Sequence, residues 1–257
     1  MSNNLKAQSK KHNIGVEKES SLHKTLKFHY AGSPNRLEVP CGSYVCDGIS
    51  GKGELIEVQI GSFGPIKEKV RSLCEENKLR IIHPIIVNKT ISVYDKDNKF
   101  IRSRRSPRSG SPWDLFNALI YDPILPSIKN IRIELVLIDL EEVRIMDGRG
   151  SWKRKGARIK EKHLTGFHDS IELADLRDYY RFVPFEKEET FTAKSLAERI
   201  SPRKPSSKTP AGFEVNSSGI SLVLARKTLY VLLKLGLIER TGKEKQAWVY
   251  KRVHWTA

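Results

Sequence analysis

The chain has 257 residues, 39% of them hydrophobic and 30% charged, which fits a soluble globular protein of one sizeable domain plus a small one. No run of eighteen apolar residues occurs and the lysine-rich start lacks the apolar segment of a signal peptide, so no membrane-spanning helix is expected and the cytoplasm is the expected location. Lysine and arginine number 46 against 30 aspartates and glutamates, a net charge of +16, and such an excess favours nucleic acid as partner through counterion release.

Residues 1–15, rich in Asn, Ser, Lys and Gln, read as a disordered basic tail. From Val16 to Tyr30 the spacing of Leu22, Leu26 and Tyr30 predicts a helix, with Glu19 and His23 on the same face. Gly51-Lys52-Gly53 must turn, and the β-branched or apolar flanks, Ser43 to Ile49 and Glu54 to Ile60, predict a hairpin around it. Alternation puts Leu55, Glu57 and Gln59 on one face, and a hairpin brings Asp47 opposite that face. Two carboxylates held close repel unless a cation lies between them, and hard oxygens with room for water suit Mg²⁺ or Mn²⁺. The alternative is a surface hairpin whose acids face water.

Pro65 opens a second helix running to about Asn77, and Leu79 to Val87 reads as a strand buried on both faces. Thr90 to Tyr94 and Lys99 to Arg102 predict another hairpin. The following run, with Arg102, Arg104, Arg105 and Arg108, predicts an exposed loop beside the cleft that clamps phosphates. Trp113 to Ile120 reads as a short helix, Ile131 to Ile138 as a strand, Glu141 to Lys162 as a charged stretch around Trp152, and Ser170 to Phe182 as a helix. The cysteines, Cys41, Cys46 and Cys74, are odd in number and lack CxxC spacing, so neither a disulfide framework nor a zinc site is indicated.

Residues 185–190 read as a linker. Beyond it, Phe191 to Ile200 and Ser221 to Leu235 predict two helices around a Pro- and Ser-rich connection, followed by strand, turn and strand to Lys251.

Asp47 followed by Glu57-Val58-Gln59 resembles the core of the PD-(D/E)XK, or restriction-endonuclease-like, nuclease superfamily. Two departures stand in the pattern: Val45-Cys46 precede Asp47 where that family has Pro, and Gln59 replaces its Lys, a place that Lys67 or Lys69 could fill. The resemblance implies an α/β fold over residues 16–184, a mixed central sheet flanked by helices. It implies a Mg²⁺- or Mn²⁺-dependent deoxyribonuclease in which Asp47, Glu57 and the Val58 carbonyl bind metal, Gln59 positions water or phosphate, and Glu19 completes the shell. Many relatives cut as dimers, so a homodimer is compatible with it.

Residues 191–257, with Leu-Lys-Leu-Gly-Leu-Ile-Glu-Arg before the final hairpin, resemble a winged helix-turn-helix, which implies DNA contacts from Arg226 and Lys227 on the long helix and from Arg240, Lys243 and Lys245 in the wing. The arrangement also resembles an uncharacterised prokaryotic family. The alternative function is a catalytically silent nuclease fold that binds DNA.

Overall fold

The computed structural model describes residues 20–200 and 219–253. It is an α/β structure with a seven-stranded mixed sheet flanked by helices. Ser20 caps the first helix, α1 (Ser21–Ala31), by accepting from the His23 amide, and Gly32 ends it at φ 69°. Antiparallel β1 (Leu37–Cys41), β2 (Tyr44–Ile49) and β3 (Leu55–Val58) follow, and the β2–β3 turn uses Gly53 at φ 80°. Helix α2 (Lys67–Cys74) carries the chain to β4 (Leu79–Asp95), which runs parallel to β3. β5 (Phe100–Arg105) pairs back on the far end of β4. Helix α3 (Leu115–Leu119) leads to β6 (Ile131–Met146), parallel to β4, and β6 turns into antiparallel β7 (Ala157–Leu173).

Period-two alternation splits the apolar residues between two faces. Leu55, Ile81 and Leu135 face one core with α2 and α3; Ile56, Val58, Ile82 and Val136 face the other, which Leu22 and Leu26 of α1 cover. Pro84 sits inside β4 without breaking the sheet. The Ile82 carbonyl accepts from the Gln59 amide at β3's end, so two residues on, the same edge of β4 has no strand to receive a donor.

Several segments differ from the sequence reading. Leu79 to Val87 and Thr90 to Tyr94 are one strand, because the register shift between Ile86 and Asn88 absorbs the polar Asn88-Lys89 step instead of ending β4. The arginine run is not a loop up to Arg105: Arg102, Arg104 and Arg105 belong to β5, paired with Val93, Ile91 and Thr90, and only Arg108 follows in a loop. β5 joins β4 eight or more residues beyond Ile82, about 26 Å along the strand from the end of β3 at ~3.3 Å per residue, so these arginines do not flank the hairpin acids. Glu141 to Lys162 is strand on both sides of a turn, with Trp152 83% exposed at its tip. Ser170 to Leu173 completes β7, and Leu176–Phe182 is a 3-10 helix capped by Asp175 and Asp178, where the sequence suggested one helix.

Past these elements, Phe185 is buried and stacks on Phe191 at 4.4 Å. Helices α4 (Ala193–Ile200) and α5 (Leu222–Lys234) and the hairpin β8 (Ile238–Glu244) and β9 (Ala247–Arg252) follow. Their apolar residues, among them Leu196, Leu229 and Leu237, join the same core as Trp113 and Phe116. No helix among the described residues is long and apolar enough to cross a membrane.

Candidate active site

The antiparallel ladder between β2 and β3 has two registered pairs, Ile49 with Leu55 and Gly48 with Ile56. The next step would set Asp47 opposite Glu57. There side chains take over from the backbone: Val58 N–H donates to Asp47 Oδ2 at 2.8 Å, and the Asp47 amide hydrogen-bonds the Glu57 carboxylate. The hairpin thus brings together the two acids that the sequence singled out.

Cations reach them from two helices on opposite faces. From α1, His23 Nε2 lies 3.2 Å from Asp47 Oδ2 and 2.9 Å from the Val58 carbonyl oxygen, while Lys27 Nζ stands 3.5 Å from Asp47 Oδ1 and also pairs with Glu38. From α2, Lys69 Nζ donates to Glu57 Oε2 at 2.6 Å. Lys67 instead lies 3.7 Å from exposed Glu68, so of the two lysines considered for the missing motif position, Lys69 is the one at the acids. Gln59 does not reach them: its side-chain amide donates to the Ser62 carbonyl and braces its own loop. Glu19 lies outside the described residues.

The two carboxylates are electrostatically unlike. Burial alone would raise Asp47, but hydrogen bonds and charge from His23, the Val58 amide and Lys27 outweigh it and hold Asp47 below the usual carboxylate range. Burial and the neighbouring Asp47 charge push Glu57 up in spite of Lys69. Two neighbouring carboxyls whose surroundings push their pKa values apart are a pattern common at acid–base sites.

Among the described residues no three His, Cys, Asp or Glu side chains converge as a metal-holding group. Asp47 Oδ2 and the Val58 carbonyl, however, share one neighbour, His23 Nε2, and Glu57 adjoins Asp47. One or two carboxylates and a carbonyl, with water and substrate completing the shell, suit Mg²⁺ better than a closed cage would. The oxygen donors therefore fit a hard divalent cation, in the place that an imidazole nitrogen takes here.

The other basic candidates are spread over the molecule. Arg102, Arg104, Arg105 and Arg108 are exposed, with Arg105 bonded to Asn88. Arg226 is exposed on α5, and Lys227 donates to Asn117 Oδ1 at 2.8 Å. Arg240 and Lys243 flank the Trp248 ring at 4.3 and 4.5 Å, and Lys245 turns the β8–β9 hairpin at φ 54°. Lys27 went unnoticed in the sequence, although its spacing four residues after His23 puts both on one helical face.

Residues 20–174 match the model of a domain of unknown function, DUF8091. An uncharacterised protein of Treponema pallidum (strain Nichols) is 24% identical over 160 residues, 62% of this chain; the alignment spans 64% of that protein, less than two thirds of its length. No solved structure matches the chain.

Proposed function

The chain belongs to the DUF8091 family, and we propose, from its own residues, that it is a metal-dependent endonuclease hydrolysing DNA phosphodiester bonds, with a restriction-endonuclease-like core and a C-terminal winged helix-turn-helix that aids binding. The observation that carries this reading is the corner at the end of β3, where Asp47, Glu57 and the Val58 carbonyl meet under cations from both faces. A bound Mg²⁺ or Mn²⁺ would activate a water and offset charge developing on the phosphate.

In this chain, Asp47 and the Val58 carbonyl would hold the ion, with Glu57 beside them. Lys69 is fixed by Glu57 where the superfamily's motif lysine is replaced by Gln59, and it supplies the positive charge that Gln59 lacks. His23, displaced from the Asp47 and Val58 oxygens, is placed to donate to a phosphate oxygen. Arg102, Arg104, Arg105 and Arg108 would bind the backbone away from the reacting bond, and the Arg240–Trp248–Lys243 stack and Lys245 would contact it through the C-terminal hairpin.

A second reading, a silent nuclease fold that binds DNA, is favoured by the imidazole on the Asp47 and Val58 oxygens and by Gln59 being spent on its own loop. Cleavage of supercoiled and linear duplex with Mg²⁺ or Mn²⁺, run beside DNA affinity for wild type, Asp47→Asn and Glu57→Gln, separates the two. The nuclease reading expects metal-dependent cutting that both substitutions abolish while affinity persists. A wild type that binds duplex and cuts in neither metal supports the silent fold.

A further inference from the structure

Between the end of β3 and the start of β5 no strand pairs with the edge of β4, where the Gly110 amide donates to the Ile86 carbonyl, and a pocket of about 460 Å³ lies beside it. Its walls are largely apolar, from Ile60, Pro84 and Ile86, and Tyr121 stands at the rim. His83 lines it while only 5% exposed. His83 Nδ1 lies 2.6 Å from the Gln59 carbonyl, which can only accept, so Nδ1 carries the proton. Burial lowers the imidazole to about 4, keeping it neutral, and Nε2 is then a bare acceptor. Among the described residues Nε2 has no partner, and His83 lines the pocket, so Nε2 is the acceptor that the imidazole has left to offer there.

The mouth is basic. Lys227 of α5 reaches across to Asn117, a pocket residue, and among the described residues no carboxylate lies within ion-pair distance of it. A largely apolar slot with the His83 acceptor, the Asp114 carboxylate and a lysine at its rim matches a flat ring bearing N–H donors, joined to a phosphate.

We propose that this pocket binds a nucleobase, with His83 Nε2 accepting from a ring or exocyclic N–H and Lys227 holding the attached phosphate. The proposal extends the nuclease reading, since Gln59, which His83 anchors, directly follows Val58 of the candidate metal corner. A base extruded from a bound strand beside the reacting phosphate and the base of a free nucleotide share this chemistry. Extrusion costs least at mismatched or unpaired bases, so the pocket would bias the enzyme toward distorted DNA.

The test uses the full chain in EDTA, where no cutting competes, with two probes: 2-aminopurine deoxyribonucleoside monophosphate, and duplexes carrying 2-aminopurine at successive positions. His83→Asn keeps a donor for the Gln59 carbonyl but, on its shorter side chain, leaves no acceptor at the Nε2 position, and Ser62→Phe fills the mouth from a loop. Either source supports the proposal: saturable anisotropy of the nucleotide marks a free ligand, and an emission rise at one duplex position marks an extruded base. Either signal should fall about tenfold in affinity with His83→Asn and vanish with Ser62→Phe, as expected for one lost hydrogen bond and for a blocked slot. Lys227→Ala should weaken the nucleotide while leaving unchanged the binding of 2-aminopurine deoxyribonucleoside, run beside it as the phosphate-free control. If a fluorescein-labelled duplex is bound while neither 2-aminopurine probe responds, or if responses are equal in all variants, the pocket assignment is overturned and the nuclease reading stands. Nucleotide binding without any DNA cleavage would sink the nuclease reading and keep the pocket.

Discussion

His83→Asn also gives a stability prediction that needs no ligand. Folding lowers the His83 pKa from 6.5 to about 4 by burial, against a smaller upward push from its bond to the Gln59 carbonyl. Because the folded value is depressed, the unfolded chain binds more protons between these pH values. The neutral imidazole's full contribution is therefore present above pH 6.5 and is lost as pH falls toward 4. From neutral pH down to pH 5 the loss is about 1.5 units at ~1.36 kcal/mol each, or about 2 kcal/mol. Asparagine does not titrate and can still donate to Gln59, so the variant escapes this loss. Urea unfolding at pH 7.5 and 5 should show the wild-type midpoint falling by about 0.7–1 M more than the variant's, for a slope of about 2–3 kcal/mol/M. Parallel pH profiles for the two proteins would refute a buried, neutral His83.

Lys69→Met should cost about 2–3 kcal/mol by urea unfolding, because it strands the buried Glu57 carboxylate beside Asp47; adding Glu57→Gln should recover at least half of it, and additivity within ~0.5 kcal/mol would contradict the pairing. Replacing Arg102, Arg104 and Arg105 together with Ala should leave stability within about 0.5 kcal/mol, since β5 is exposed. In the same variant the slope of log K against log salt for duplex binding should flatten by about 2–3; an unchanged slope would remove β5 from the DNA surface. Phe185→Ala should destabilise by about 3 kcal/mol, measured by thermal or urea unfolding, since the ring is buried between Phe191 and Arg199; a loss under ~1 kcal/mol would mean that the segment behaves as the linker its charges suggest.

The β2–β3 hairpin was legible because two glycines and clean alternation leave few other conformations, and with it the meeting of Asp47 and Glu57. The cations were only partly so: His23 shared the predicted helix face and Lys69 was one of two lysines offered for the motif position, but which of them reaches the acids, and Lys27 with them, follows from the docking of α1 and α2, which no local pattern encodes. Strand lengths were hidden for a related reason. Charged residues inside β4 and β6 look like breaks, yet Arg80 pairs with Glu54 and Glu134, Tyr30 bonds Glu134, and Lys89 and Arg144 flank Glu142. Such pairing lets a strand carry charge at half-buried positions. The arginine run reads as a loop by composition, and it became a strand because β4 offered an unpaired edge.

The length of that sheet works as a measuring device. β4, β6 and β7 are 17, 16 and 17 residues long, and from Ile82 at the end of β3 to Asp95 at the tip lie thirteen residues, about 43 Å at ~3.3 Å each. A turn of duplex rises ~34 Å, so on the proposed reading the blade would overlie about twelve base pairs to one side of the bond being cut. Oligonucleotides trimmed on that flank should lose affinity stepwise, while those trimmed on the other flank should not, and the footprint would be lopsided about the cut.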